Sequence, residues 1–371
     1  MKIAFDIRGI AGEKGGKGVW TANVLKSILF HDTTNEYLLY TNAECPPLYQ
    51  NRPNVRVVRL RGWGPLWHWR FYRSLLRERV DTLVATESYI VPFLHDPRRL
   101  HVGLAVHDMI AFKPGIRHQK KAQWIEKLTL KKAVQKSRWI FTVSSYTRRD
   151  LLNQYPDLPL QDKITVVYAG VQEIFFGSVP PEEIRRLQKQ YGIEEPYLMM
   201  TGALEPRKNV IGVLRAYHLL SPANQKKYRL VICGKQGAYF NKIKAIVQKL
   251  GLQDRVTFLE YLPEKELVAL MQGATLFLFP SFYEGFGLPV LEAMQSGAPV
   301  VASKVSSIPE LGMDAVHYID PTDPIDIADG ITQVLDNESH WKELRSKGFE
   351  QVKNFSWGKT AQRILEVIQN P

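Results

Sequence analysis

The stretch Thr275-Leu276-Phe277-Leu278-Phe279-Pro280-Ser281-Phe282-Tyr283-Glu284-Gly285-Phe286-Gly287-Leu288-Pro289-Val290-Leu291-Glu292 decides the fold. Its first residues form an apolar run with the character of a buried parallel strand. Leu288 to Ser296 reads as a helix, and Pro289 suits its first turn, where a missing N–H costs nothing. Gly285 and Gly287 lie in the turn between, where they let the backbone approach a ligand closely. Free N–H groups at a helix start favour an anion, a phosphate above all. Glu284 falls in that turn and Glu292 about one turn into the helix. Carboxylates so placed accept hydrogen bonds from hydroxyls, and hydroxyls flanking a diphosphate describe a nucleotide-sugar.

The same alternation extends through the chain. Strands are predicted near 2–7, 36–41, 55–60, 82–86, 102–107, 138–143 and 164–168, then near 197–201, 228–233, 255–258, 275–280, 299–302 and 316–319. Helical stretches separate them, which implies parallel sheets covered on both faces. At 371 residues two domains are expected. Gly170, Gly177, Pro180 and Pro181 interrupt the pattern between Ala169 and Pro181, which places the linker there. The predicted organisation is two doubly wound, Rossmann-like α/β domains, residues 1–170 and 171–355, facing each other across a cleft. A last helix over 356–371, capped by Ser356, follows. In such sheets ligands bind beyond the carboxyl ends of the strands.

A hydrophobic content of 45% and a charged content of 23% are ordinary for a soluble globular protein. No apolar run reaches the roughly 18 residues of a spanning helix. The chain starts directly as a strand, and Asp6 interrupts any signal-peptide core. Cys45 and Cys233 fall in different halves and suggest no disulfide framework, which fits a reducing cytoplasm. The charge is uneven. Residues 1–176 hold 27 Lys and Arg against 15 Asp and Glu, and residues 177–371 hold 22 of each. The whole excess of +12 therefore sits in the first half, which is expected to face something anionic. Nucleic acid is disfavoured, because no recognised binding motif accompanies the charge.

Thr201-Gly202-Ala203-Leu204-Glu205-Pro206-Arg207-Lys208-Asn209 follows a strand and precedes a helix. Two cations at a helix N-terminus oppose the macrodipole unless an anion is nearby. A diphosphate supplies one, with Arg207 as a fork and Lys208 as a point charge. Lys235, in the strand-end turn Cys233-Gly234-Lys235-Gln236-Gly237, reads equally as a donor contact or an ordinary turn lysine. The loop Gly12-Glu13-Lys14-Gly15-Gly16-Lys17-Gly18-Val19-Trp20 is not a Walker A loop, since Ala11 and Gly18 stand where its Gly and Ser/Thr belong. It is not a dinucleotide fingerprint either, since Thr21 replaces the third glycine. Val106-His107-Asp108-Met109 ends another strand, where this architecture puts chemistry. The other reading of His107 is a buried, hydrogen-bonded structural histidine. Ser144 or Ser145 is a candidate helix cap. No HExxH, CxxC or DxD cluster suggests a metal, and none is expected.

The string EGFGLPVLE resembles the signature of the family 4 retaining glycosyltransferases, and the likeness runs from the glycine loop to the last helix. It implies the GT-B fold, in which the terminal helix crosses back onto the first domain. It implies that Arg207 and Lys208 clamp the diphosphate and that Gly16 and Gly18 belong to a loop closing over it. Family members often carry Arg-Tyr where this chain has Val19-Trp20, so Trp20 has no assigned role. Gly202, Gly285, Phe286, Gly287 and Leu288 would line the donor, and the segment of Tyr261 and Leu262 would meet the base through its backbone. His107 would lie against the donor sugar, with Asp108 orienting it or touching the acceptor. Glu284 would position the sugar through its hydroxyls and Glu292 the ribose. The implied reaction is same-face attack with retention, free of metal and cofactor, the departing phosphate helping to deprotonate the acceptor.

Ser306-Ser307-Ile308-Pro309-Glu310-Leu311 and Phe355-Ser356-Trp357 look most like bacterial mannosyltransferases of surface-polysaccharide assembly. That makes GDP-mannose the expected donor, with UDP-glucose or UDP-N-acetylglucosamine as the alternative. The expected acceptor is lipid-linked or a glycan, and the expected location is the cytoplasmic face of a membrane. A nucleotide-sugar epimerase would need the dinucleotide loop that is missing. A sugar phosphorylase would need a pyridoxal lysine, which the sequence leaves open.

Two segments combine aromatic and basic residues. Trp67, Phe71 and Leu75 step by four along one helix, with Arg70, Arg73 and Arg77 off that stripe. A second basic stretch, Arg117 to Arg138, surrounds Trp124 and Leu128. Each reads either as a stripe packed on the sheet or as a helix lying in lipid headgroups.

Overall fold

The computed structural model describes residues 1–10, 15–50, 52–113, 120–193 and 196–370, the side chains of 120–122 excepted. The chain divides into two compact units, Met1–Gly170 with Ser356–Pro371, and Val171–Phe355.

The first unit holds seven strands: β1 (Lys2–Asp6), β2 (Glu36–Thr41), β3 (Val55–Arg59), β4 (Thr82–Ala85), β5 (His101–Val106), β6 (Trp139–Thr142) and β7 (Ile164–Val166). They pair in the order β3-β2-β1-β4-β5-β6-β7, with the neighbours parallel throughout. The second unit holds β8 (Tyr197–Thr201), β9 (Arg229–Cys233), β10 (Val256–Leu259), β11 (Leu276–Phe279), β12 (Val300–Ser303) and β13 (Val316–Ile319). Their order is β10-β9-β8-β11-β12-β13, again all parallel. All thirteen predicted strands are present. They were readable because central parallel strands are apolar on both faces; β4, β6, β8, β11 and β12 are buried along their whole length.

Each sheet reverses direction once, between β1 and β4 in the first unit and between β8 and β11 in the second. The loops leaving those strands diverge to opposite sides and open a crevice at the carboxyl edge, where ligands bind in this architecture. Both glutamate- and cation-bearing segments of the second unit leave the strands that flank its reversal point.

The helix Trp357–Gln369 packs against the helix Gly16–His31 of the first unit. The Thr360 hydroxyl donates to the Tyr168 carbonyl. Gly170 meets the start of that helix so closely that a Cβ there would lie 2.4 Å from the Trp357 nitrogen. Ser356 stands at the N-cap, but its side chain makes no capping hydrogen bond. Ser144 does cap its helix, accepting from the Thr147 N–H at 2.9 Å.

Trp67, Phe71 and Leu75 are core: 0%, 2% and 0% exposed, packed with Tyr40, Leu83, Val102 and Leu130. Their stripe faces the sheet, which settles the first aromatic-basic segment against insertion of those rings into lipid. No helix among the described residues is long and apolar enough to cross a membrane.

Candidate active site

In the second unit the turn after β11 carries Glu284, and Gly287 (φ +116°) starts the helix Leu288–Gln295. A side chain at Gly287 would be strained by that φ and would meet Ile308 Cδ1 at 2.8 Å. The turn is held from below by serines of the segment after β12. Ser306 accepts from the Glu284 N–H at 2.9 Å, and the Ser307 hydroxyl donates to the Glu284 and Phe286 carbonyls at 3.0 and 2.6 Å. Ser303 donates to the Ser281 carbonyl at 2.7 Å. These serines satisfy backbone donors and acceptors of the turn and fix the backbone that carries Glu284. The sequence showed the serine pair but not this work, because the contact spans more than twenty residues.

After β8, Pro206–Lys208 forms a 3-10 turn rather than the helix start itself; Asn209, with a left-handed φ of 58°, caps the helix Val210–Leu219. Asn209 Oδ1 accepts from the Gly212 N–H at 3.2 Å, and its Nδ2 donates to the Pro321 carbonyl at 2.7 Å. This turn delivers both cations to one carboxylate. Lys208 Nζ lies 2.6 Å from Glu284 Oε1, and Arg207 Nη1 lies 2.9 Å from Glu284 Oε2. The anion that the cations require is thus supplied within the protein. Burial pushes Glu284 up, but Lys208 and Arg207 outweigh it and hold the carboxyl below its usual range. Burial lowers Lys208, with Glu284 opposing. Lys208 also sits 4.6 Å above the Phe279 ring.

The glycines beside this cluster are sterically required. Gly202 (φ +130°) lies against the Lys208 side chain, and a Cβ at Gly234 (φ +156°) would fall 1.9 Å from the Gly202 carbonyl oxygen. The turns after β8 and β9 interlock there, with Leu204 N–H donating to the Lys235 carbonyl at 3.1 Å. Lys235 itself is exposed. Tyr261 is exposed at the end of β10 and Leu262 is buried. Glu292 is buried; burial raises its carboxyl to about 7, against a hydrogen bond from Gln172. Gln172 was not anticipated, and its place in the linker segment gave no signal.

The first unit gathers a second set at the carboxyl edge of its own sheet. His107, buried just past β5, has Nε2 2.9 Å from the Thr86 carbonyl oxygen after β4. A carbonyl only accepts, so Nε2 carries the proton and Nδ1 is left as the acceptor. Burial lowers this imidazole to about 4, so it is neutral at physiological pH. The unassigned Trp20 packs edge-on against it, ring centroids 5.2 Å apart. Asp108 accepts from the Ile110 N–H at 3.0 Å. Gly12, Glu13 and Lys14 lie outside the described residues, while Gly16 and Gly18 fall in the first turn of the helix Gly16–His31. A Cβ at Gly18 would come within 2.1 Å of the Gly9 carbonyl oxygen, and one at Gly16 would meet nothing. Gly18 is therefore accounted for by packing. A half-buried carboxylate missed by the sequence reading, Glu87, accepts from the Thr21 hydroxyl at 3.0 Å and closes against Gly9.

Comparison with known proteins agrees with both halves. Residues 34–173 match the family described as Glycosyltransferase Family 4, and residues 175–351 match Glycosyl transferases group 1. The chain is 34% identical to the O-antigen chain mannosyltransferase B of Escherichia coli over 72% of its length and 70% of that protein's. It is 27% identical to the O-antigen chain mannosyltransferase RfbU of Salmonella typhimurium, over 84% of this chain and 85% of the relative. Its fold is that of Anabaena HepE, solved with UDP-glucose: TM-score 0.80 over the full length of both chains, at 20% identity.

Proposed function

This chain belongs to the family 4 glycosyltransferases, with the GT-B fold, and from that premise we propose that it transfers a hexose with retention, mannose from GDP-mannose, during assembly of a cell-surface glycan. The observation that carries the reading is the pairing of Arg207 and Lys208 with Glu284 at the reversal point of the second sheet. Two partly or fully buried cations at a strand's carboxyl edge form a ready seat for a diphosphate. The adjoining helix start, with Gly287 at its cap, favours the same ligand. The choice of mannose is supported by the O-antigen mannosyltransferases among its relatives.

In this reading Arg207 and Lys208 stabilise the charge that builds on the departing diphosphate. Glu284 then accepts hydroxyls of the sugar, and Glu292 those of the ribose. His107 presents its Nδ1 lone pair beside the reacting sugar, with Asp108 nearby. The acceptor hydroxyl attacks the face that the phosphate leaves, and a phosphate oxygen takes its proton. No metal is required, because the two side-chain cations do the work of charge neutralisation. The acceptor is lipid-linked or a growing glycan, and the surplus positive charge of the first half serves peripheral contact with the anionic cytoplasmic face of a membrane.

The test is transfer from a panel of nucleotide-sugars to a lipid-linked oligosaccharide in excess EDTA, with the product anomer read by NMR. α-Mannoside from GDP-mannose is the expected product. Transfer from UDP-glucose instead would replace the donor, an inverted anomer would overturn the mechanism, and a strict Mg²⁺ requirement would overturn the metal-free clamp.

A further inference from the structure

The reversal point of the first sheet holds two charged side chains besides the pair His107 and Asp108. Arg8 follows β1 and Glu87 follows β4, the two strands between which the order reverses. In open α/β sheets that is where a ligand binds. Arg8 is fixed from two sides. Its Nε and Nη2 fork onto the buried Asp6 carboxylate at 2.9 and 2.6 Å, and its guanidinium lies 3.6 Å over the ring of Trp67, a core residue. The fork leaves Nη1 with no partner among the described residues.

Glu87 is half-buried against the backbone of Gly9, the residue next to Arg8. A Cβ on Gly9 would fall on the Glu87 carboxylate, so the glycine makes room for it. The Thr21 hydroxyl donates to Oε1 at 3.0 Å. Among the described residues Oε2 has no hydrogen-bond partner, and no cation pairs with either oxygen. Arg8 is engaged by Asp6, and Lys17 by Glu126 at 3.2 Å. Burial raises the Glu87 carboxyl above its usual range, and the Asp6 charge adds to it against the Thr21 hydrogen bond.

Beside Gly9, then, two carboxylates stand with one guanidinium, a local excess of negative charge within the half of the chain that carries all of the +12. Arg8 can only donate, and ionised Glu87 can only accept. A phosphate or a uronate would satisfy Arg8 but meet the repulsion of Glu87. An ammonium would satisfy Glu87 but meet the repulsion of Arg8. A hydroxyl both donates and accepts. Neighbouring hydroxyls of one uncharged sugar satisfy both side chains at once, and a half-buried charge left without a partner is costly.

We propose that Arg8 and Glu87 form a seat that selects a neutral sugar of the acceptor, Arg8 Nη1 donating to one hydroxyl and Glu87 accepting from its neighbour. The seat rests on the transferase reading and narrows it: the acceptor sugar held there carries no charge, and any phosphate or uronate of the acceptor lies elsewhere. Both groups are set before the ligand arrives. Asp6 and Trp67 hold the guanidinium, and Thr21 and Gly9 hold the carboxylate. Preorganised polar groups of this kind fix which sugar fits and how it is turned.

The experiment is titration of the protein, with GDP at saturation, by methyl α-pyranosides of mannose, glucose and N-acetylglucosamine, followed by saturation-transfer NMR. The glycoside that binds best is then compared with its monodeoxy analogues and with the matching uronate. The uronate is expected to bind on the order of tenfold more weakly than the neutral glycoside. Loss of one particular hydroxyl weakens binding on the order of tenfold in the wild type and has no effect in Glu87→Ala. Loss of a neighbouring hydroxyl behaves in the same way towards Arg8→Met, made together with Asp6→Asn so that no buried carboxylate is stranded. GDP affinity by calorimetry and the melting temperature are measured on the same samples and are expected to be unchanged. Glu87→Gln, which keeps the volume, replaces Glu87→Ala if the latter does not fold. Equal affinity for the uronate, or hydroxyl losses that persist in full in the variants, overturns the seat. Absent binding of every neutral glycoside with GDP binding intact overturns the seat alone, whereas absent GDP binding in the wild type overturns the transferase reading.

Discussion

Lys208 Nζ and Glu284 Oε1 are 2.6 Å apart, although the two residues are separated by 76 positions in the chain. Arg207 holds the other oxygen of the same carboxylate at 2.9 Å. The carboxylate proposed for the sugar is therefore paired with the cations proposed for the diphosphate. On the proposed function, a donor diphosphate competes with Glu284 for one pair of charges.

Glu284→Gln is accordingly expected to bind nucleoside diphosphate more tightly than the wild type while turning over on the order of 100- to 1,000-fold more slowly. Removing the internal anion leaves Lys208 and Arg207 for the ligand. Calorimetry with GDP and steady-state rates check the two halves separately. Weaker GDP binding in this variant would show that the carboxylate assists the diphosphate instead of competing with it.

Lys208→Ala is expected to lose rate on the order of 100- to 1,000-fold and, in addition, to lose stability. It strands a buried carboxylate, a change that costs about 3–5 kcal/mol. Lys208→Ala combined with Glu284→Gln should recover part of that stability without recovering activity. Urea denaturation of the single and double variants measures the coupling.

Glu292, with its carboxyl raised by burial to about 7, is expected to give donor binding a pH dependence if it meets the ribose as proposed. Ribose hydroxyls donate best to the ionised form, so nucleotide affinity should rise as pH passes from 6 to about 8, with release of a proton on binding near neutrality. The linked stability runs the other way. A carboxyl raised in the folded state stabilises the protonated protein at low pH, and that contribution is lost as pH rises from about 4.5 through about 7. Glu292→Gln should flatten both profiles. Calorimetry in buffers of different ionisation enthalpy counts the proton, and melting curves across that range check the stability.

Trp67→Ala should cost about 3–5 kcal/mol of stability, as for a large side chain removed from a packed core. Chemical denaturation is the measurement, and a cost below about 1 kcal/mol would contradict the packing of Trp67 with Phe71 and Leu75.

The layout of the fold was legible because its strands are fully buried. A run such as Thr275–Pro280 has no solvent face, so apolar β-branched and aromatic residues fill it and Gly or Pro bounds it. The motifs proposed for the donor are likewise local in the sequence. A phosphate seat draws on glycines, a helix start and cations; Gly202 to Asn209 carries a glycine and two cations, and Glu284 to Glu292 carries two glycines and a helix start, each within a few consecutive residues. Gly18 of the glycine loop also packs on Gly9, a constraint set by a neighbour outside the motif that the sequence did not show.

What the sequence by itself determined is therefore the set of local chemistries: thirteen strands, a reversal of connectivity, a cation pair and a carboxylate pair at strand ends, and a positively charged first half. Only the tertiary structure decided which of them meet. Sheet order sets β8 beside β11 and so joins Lys208 to Glu284; it sets the end of β4 beside the end of β5 and so gives His107 the Thr86 carbonyl. It also decided which tryptophans are core and which are surface. Trp67 and Trp69 are two residues apart on one helix, which puts them about 200° apart around its axis. The sheet covers one of those directions, so one ring fills the core and the other faces outward.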